Sequence, residues 1–439
     1  MAESVTDSRP SSRPPAEELL RALAAHPGGE ELLTLGGQRG DLALVGGSVR
    51  DMLLGTRPRE LDVVVAEDPS GLAHELARLL AESSPAGPSA PTETLHERFG
   101  TALVAWEGGR VDIATRRSES YPAPGALPDV RPGTAEEDLR RRDFTVNAIA
   151  APLGGPGRGE LEHVGGALED LSRGLLRVLH ERSFIDDPTR LLRLARYRVR
   201  LGFEIEPVTA ALAAAAVSEG ALGTVSPSRL GAELRLALAE PDAPATLALL
   251  DELGVLRALH PGIAFDEPLA RGALALLPAD GRVDSLLLAV LVAALAGLPG
   301  DRGRAAMFEL LDRLEFPSSV RERAIRAATA SPSLAAGLQR SQLPSELYDL
   351  LADEPAEAIA MAGALAVASD PEGAGRAGDW LGRLRHVRLQ ITGEDLLAAG
   401  IPAGPQVGER LAAALRRRLD GALEEGSAAE LDAALEAGE

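Results

Sequence analysis

The stretch LVGGSVRDMLLG (44–55), followed by LDVVVAE (61–67), decides how this chain reads. With the two residues before it, LALVGG (42–47) is a buried strand ending in glycines. VRDMLLG (49–55) is a helix stopped by Gly55. The valine run of 61–67 predicts a second strand. A strand, a glycine turn and a helix N-terminus suit phosphate. Glycines let the backbone approach, amides point outward, and the helix dipole favours an anion. Gly46 and Gly47 supply the turn, and Arg50 in the first helical turn can grip phosphate oxygens as a fork. Glu60 and Asp62 stand two apart, so both side chains point to one face of a strand. Two carboxylates beside a phosphate cradle can hold Mg²⁺ for phosphoryl transfer. A glycine pair alone is an ordinary turn, and an acidic pair alone an ordinary wet surface. The spacing GG-x-x-RD followed by a strand with two acids is far more specific.

Outward from this core, 71–83 has helical periodicity and 84–92 is a Pro/Ser/Gly loop. Residues 100–115 predict a hairpin around Gly108-Gly109. On the N-terminal side, 16–35 predicts a short helix, and 1–15 is Ser/Pro/Arg-rich and expected to be disordered. After about residue 180, Ala, Leu, Arg and Glu dominate and strand signals nearly vanish. Helices are expected at 187–202, 207–218, 228–239, 243–257, 267–277, 283–297, 303–314 and 318–330. The segment 385–423 reads as two short helices around Gly-Ile-Pro-x-Gly-Pro and then a longer one.

The whole chain has 439 residues, enough for several domains. It has no cysteine, which excludes disulfides, thiolate zinc sites, Fe–S clusters and a cysteine nucleophile. No apolar run approaches the roughly 20 residues of a membrane span, and the start lacks a signal-peptide apolar core. A cytoplasmic protein with no membrane partner is expected. The net charge of −21 excludes a generally basic nucleic-acid binder but leaves room for a local basic groove. All 45 Lys+Arg residues are Arg, and Asn147 is the only asparagine. A lone Asn under such compositional pressure is expected to have a reason to be there.

Two further polar clusters follow. RRRDFTVN (140–147) runs three arginines into an apolar stretch. It reads as a charged helix start, or as a site where Arg141, Arg142, Asp143 and Asn147 offer donors and acceptors to a ribose or phosphate. In DDPTR (186–190), Pro188 fits a helix start. Arg190, Arg193 and Arg196 then share roughly one helical face. That face is either a capped, solvated stripe or a grip for a triphosphate. Asp187 and Arg190 can together present hydrogen bonds to a base edge.

In this order the clusters closely resemble the class II tRNA nucleotidyltransferase (CCA-adding enzyme) and bacterial poly(A) polymerase family, a branch of the polymerase β-like nucleotidyltransferases. The matching text is LVGGSVRDMLLG (44–55), RFGTALV (98–104), VDIATRRSESY (111–121), GALPDV (125–130), EEDLRRRDFTVNAIA (136–150) and FIDDPTRLLRLARY (184–197). TVSPSRLGAEL (224–234), LHPGI (259–263) and ITGEDLLAAGIPAGPQVGERL (391–411) also fit.

The resemblance implies an α+β chain, with a small mixed sheet confined to a catalytic head. The expected divisions are an N-terminal extension (1–35), the head (36–178), and an all-helical neck (179–240), body (241–384) and tRNA-binding tail (385–439). It implies a template-independent enzyme that adds CCA to tRNA 3′ ends from CTP and ATP, releasing pyrophosphate. Members that add only CC, only A or poly(A), or an impaired homologue that only binds tRNA, remain alternatives. By this resemblance Gly46, Gly47 and Arg50 meet the triphosphate, and Glu60 and Asp62 hold Mg²⁺. Arg141, Arg142, Asp143 and Asn147 place the nucleotide. Asp187 and Arg190 read C or A, with Arg193 and Arg196 as further contacts. Thr115-Arg116 falls in the element associated with switching from C to A, and Arg416–Arg418 are expected to meet the tRNA backbone.

Two residues depart from the family pattern: Glu60 where its first metal ligand is Asp, and Asp186 where Glu is usual. Asp112 is a candidate third acid near the metal. A metal-dependent phosphohydrolase site of the His-Asp type is not expected, because none of the 7 His is followed by Asp.

Overall fold

The strand after the opening helices, Ala43–Val45 (β1), is buried along its whole length. It can be buried because all three side chains are apolar and sheet neighbours flank it on both edges. The computed structural model describes residues 16–83, 90–96, 100–367, 371–424 and 426–437. Residues 1–15, most of the expected 84–92 loop, and Arg98 and Phe99 of RFGTALV lie outside the described residues.

The chain divides between Val225 and Ser226 into two units, so the expected neck span 179–240 is shared between them. In the first unit, α1 (Ala16–Ala24) and α2 (Gly29–Gln38) precede β1. Residues 16–35 thus form two helices rather than one, and they bury Leu19, Leu23, Leu32 and Leu35. Then come α3 (Gly47–Leu53), β2 (Leu61–Val65), α4 (Pro69–Ser83), β3 (Thr92–His96), β4 (Thr101–Trp106) and β5 (Gly109–Thr115). A polar hairpin of β6 (Arg117–Ser120) and β7 (Asp129–Pro132) leads to α5 (Ala135–Arg140). The sheet resumes with β8 (Ile149–Pro152) and β9 (Glu162–His163). After α6 (Ala167–Arg173) and β10 (Leu175–Leu176) come α7 (Ser183–Asp186), α8 (Arg190–Leu201), β11 (Glu204–Ile205) and α9 (Pro207–Ser218).

The seven-stranded sheet runs β3-β4-β5-β2-β1-β8-β9. Its pairs are antiparallel except β2 with β5, which are parallel and set Asp62 opposite Asp112. This mixed sheet in an otherwise mostly helical chain agrees with the expected α+β class.

Backbones approach closely where α2 meets the end of β8. A Cβ on Gly154 would lie 1.8 Å from the Gly36 carbonyl oxygen. Such an overlap involves main chain and cannot relax by rotating a side chain. Gly154→Ala is therefore expected to cost about 1–3 kcal/mol, read as a lower urea midpoint at unchanged slope.

The second unit is helical throughout its described residues. Its centre is the long helix Ser318–Arg340, packed on Val283–Ala296 and Ala356–Val367. Val283–Ala296 is apolar on nearly every side and correspondingly buried. No described helix is long and apolar enough to cross a membrane.

Three expectations are corrected. The run 243–257 is two helices, Ala243–Glu252 and Val255–Leu259, parted at Gly254. The helix expected to end at 330 continues through Pro332 to Arg340, because Leu334, Ala335 and Leu338 extend its buried stripe. Within 385–423 the described α-helices are one short, Gly393–Ala398, and one long, Pro405–Leu419. With Ser427–Glu436 they enclose a small core of Ile391, Leu396, Ala414, Ala433 and Ala434.

Candidate active site

Gly46 joins β1 to α3 at φ 64°, ψ −129°, a conformation open to glycine and strained for any L side chain. A Cβ there would also sit 2.6 Å from Arg142 Nη1, so the turn and that guanidinium share one space. Gly47 opens α3. The buried Ser48 hydroxyl accepts from the Asp62 amide at 2.8 Å and donates to the Glu60 carbonyl at 3.1 Å. It ties the glycine turn to the start of β2. The sequence reading passed over Ser48, although it lies inside the quoted motif. Ser48→Ala leaves the Asp62 amide without its partner. The expected result is about 1–2 kcal/mol less stability in urea unfolding.

Glu60 lies just before β2, Asp62 within it, and Asp112 in the middle of β5. One carboxylate oxygen from each falls within 4.8 Å of the others. Burial, together with Glu60 and then Asp112, pushes the Asp62 carboxyl up to about 7, against the opposing pull of Arg142 and Arg110. Three crowded carboxylates are a hard-oxygen donor set that fits a divalent cation. A positive group already faces them, since Arg110 pairs with Glu60 at 3.0 Å and Asp112 at 2.7 Å.

The second and third clusters meet the first through one chain of contacts. Arg50 is buried, with its guanidinium engaged by Asp51 and by Asn147 Oδ1. The Asn147 amide donates to Asp143 Oδ1 at 2.9 Å. Asp143 Oδ2 accepts from Arg193 Nε at 2.8 Å. Arg193 in turn donates to the Tyr197 hydroxyl at 3.0 Å. The Tyr197 ring is flanked by the guanidinium carbons of Arg50, Arg193 and Arg200 at 5.3–5.6 Å. Burial alone would raise the Asp143 carboxyl, but Arg193, the Asn147 hydrogen bond and Arg190 outweigh it and hold it at about 2. The only asparagine thus bridges an arginine and an aspartate inside the protein.

Arg141 and Arg142 both close on the buried Asp138, at 2.7 and 2.8 Å. Burial opposes ionisation of Asp138, yet Arg142 and Arg141 together keep its carboxyl below the usual range. Arg190 is buried, donating to Ser183 Oγ at 2.7 Å and to the Arg141 carbonyl at 2.8 Å. Asp187 Oδ1 accepts from the Thr189 hydroxyl at 2.6 Å in the turn that starts α8. Asp187 thus braces the turn before α8, the arginine face is not a solvated stripe, and the contact of Arg190 to Arg141 places α8 against the second cluster. Arg196 is buried on the same helix, whereas Arg193 is partly exposed. Thr115 ends β5, and the Arg116 amide donates to the Val65 carbonyl. The tail arginines expected to meet RNA are engaged within the chain: Arg416 with Asp349, Arg417 with Glu436 and Arg418 with Glu430. The sequence reading gave no role to Asp138, Ser183 or Tyr197. The helical spacing of Asp138 to Arg141 and Arg142, and of Arg193 to Tyr197, is the signal that could have found two of them.

Comparison with known proteins fits this geometry. Residues 42–177 match the poly(A) polymerase head domain, and 202–266 match the probable RNA and SrmB-binding site of polymerase A. A CC-adding tRNA nucleotidyltransferase from Deinococcus radiodurans is 35% identical over 385 residues, covering 87% of this chain and 86% of that one. The chain belongs to the tRNA nucleotidyltransferase family. An A-adding tRNA nucleotidyltransferase from Geobacter sulfurreducens is 33% identical over 395 residues. The chain spans half or less of the length of the A-adding members of the family that it matches. The Thermotoga maritima CCA-adding enzyme complexed with tRNA superposes with a TM-score of 0.75 at 28% identity, over 97% of this chain and 99% of that one.

Proposed function

We propose that this chain extends tRNA 3′ ends, building CCA from CTP and ATP without a nucleic-acid template. The observation that carries this reading is the convergence of Glu60, Asp62 and Asp112 beside the Gly46 turn. Similar structures are CCA-adding enzymes with ATP, with CTP and with tRNA.

Addition forms a bond from the terminal 3′-oxygen of the RNA to the α-phosphorus of the nucleotide. It breaks the bond to the β-phosphate oxygen, and pyrophosphate leaves. Glu60, Asp62 and Asp112 are the residues that would hold Mg²⁺. Once bound, the ion would neutralise phosphate charge and align the reacting oxygens. The rest is positioning. Gly46, Gly47 and Arg142 shape the phosphate end, with Arg50 and Asn147 bracing it from behind. Asp143 orients Arg193. Asp187 just before α8 and Arg190 in its first turn are the candidate base readers, with Arg141 holding Arg190 through its carbonyl and Arg196 on the same helix.

The test uses tRNA transcripts ending before C, after C and after CC, each given CTP, ATP or both with Mg²⁺. Extension to CCA in single-nucleotide steps supports the proposal. Extension by A alone or by CC alone replaces it with a divided activity, as the names of the A-adding and CC-adding relatives suggest. No extension with Mg²⁺ or Mn²⁺ refutes it.

A further inference from the structure

The acidic site contains a cation of its own. Arg110 and Asp112 stand two apart on β5, so both point to one face. The parallel register pairs Leu61 with Val111, which brings the preceding residue Glu60 alongside Arg110. The Arg110 guanidinium uses this placement as a fork. Nη2 lies 2.7 Å and Nε 3.0 Å from Asp112 Oδ2, and Nη2 lies 3.0 Å from Glu60 Oε2. Two of the three converging carboxylates are therefore occupied by one guanidinium. Its side chain is 49% exposed, so it can swing into water without leaving a buried hole.

We propose that Arg110 is the resident counter-cation of the divalent-ion site. It neutralises Glu60 and Asp112 until an ion displaces it, and so sets the ion concentration at which the site loads. This rests on reading the three carboxylates as the metal site. Loading exchanges the guanidinium contacts of two carboxylates for ion contacts and involves no bond-making. Glu60 strengthens the device, because its extra methylene carries the carboxylate out to Arg110.

The experiment is titration of Mn²⁺ into the full chain at low ionic strength, without nucleotide or RNA, followed by calorimetry and by the free-ion paramagnetic signal. Wild type is compared with Arg110→Ala and Arg110→Lys. Exposed ion pairs are individually weak, so Arg110→Ala is expected to bind Mn²⁺ about 3- to 30-fold more tightly. Arg110→Lys keeps the charge but loses the fork and should fall between the two. The gap should shrink at high salt, where exposed charges are screened. Unchanged or weaker binding by a folded Arg110→Ala overturns the proposal while leaving the metal-site reading intact. If neither wild type nor variants bind Mn²⁺ at millimolar concentration, the metal-site reading fails and this proposal with it. Should Arg110→Ala not fold, the Lys variant decides, since tighter binding than wild type is still required.

Discussion

Asp62→Asn is expected to lower nucleotide addition by about a thousandfold or more, without unfolding the sheet that carries it. The amide keeps the shape of the side chain but cannot supply the charge that draws a divalent ion. Electrostatic stabilisation of a transferring phosphoryl group is worth several kcal/mol, and each 1.36 kcal/mol is tenfold in rate. Asp62 is the central acid of the three, set opposite Asp112 by the β2–β5 register. Its backbone stays fixed by Ser48, whose hydrogen bond goes to the main-chain amide and is untouched by the substitution. Asp62→Asn also removes one of three carboxylates crowded within 4.8 Å. The metal-free variant should therefore melt at or above the wild-type temperature. Single-turnover extension of a tRNA ending in CC, with a parallel thermal melt, checks both halves. A variant retaining a tenth of the wild-type rate would remove Asp62 from the mechanism.

Asp143→Ala is expected to give the largest loss of stability, about 3–5 kcal/mol. It deletes the acceptor shared by Arg193, Asn147 and the Phe144 amide inside the protein. Nucleotide affinity is expected to fall with it, because Arg193 and Asn147 lose their common anchor. Asp143→Asn is milder and isolates the charge. The carboxyl is held at about 2 against an ordinary value of 3.8. A carboxyl depressed in the folded state stabilises fully above its unfolded value, and that stability disappears as pH falls through the folded one. The wild-type advantage over Asp143→Asn should be complete above about pH 4, at about 2 kcal/mol, and vanish near pH 2. Urea titrations at stepped pH measure it. A constant gap across that window would mean that the charge on Asp143 contributes nothing.

Local signals and long-range ones fared differently in the sequence. The strand, turn and helix around Gly46 were legible because each depends on neighbours in the chain: apolar residues, glycines, a helical run. The hairpin of β4 and β5 was legible for the same reason. The polar hairpin of β6 and β7 was not, since RSES (117–120) and DVRP (129–132) carry no alternating apolar pattern. Asn147 stood out by its rarity and has Asp143 four residues away, but its other partner, Arg50, belongs to a tertiary arrangement. Arg110, Ser48 and Ser183 look ordinary in sequence and acquire meaning only from register and packing. Proline punctuation misled at Pro332, where burial of the helix outweighed the missing backbone donor.

The contact from Asp143 to Arg193 also bears on how the molecule is made. Synthesis delivers β1, α3 and the Asp143 turn well before α8. During that interval Asp143 has Asn147 beside it but no Arg193, and Arg190 has not arrived to grasp the Arg141 carbonyl. A carboxylate destined for burial stays in water until its cation emerges. In order of synthesis, the wall that α8 gives this site is the last of its parts to become available. A chain terminated shortly before α8 would carry every residue of the first two clusters and still leave them unlatched.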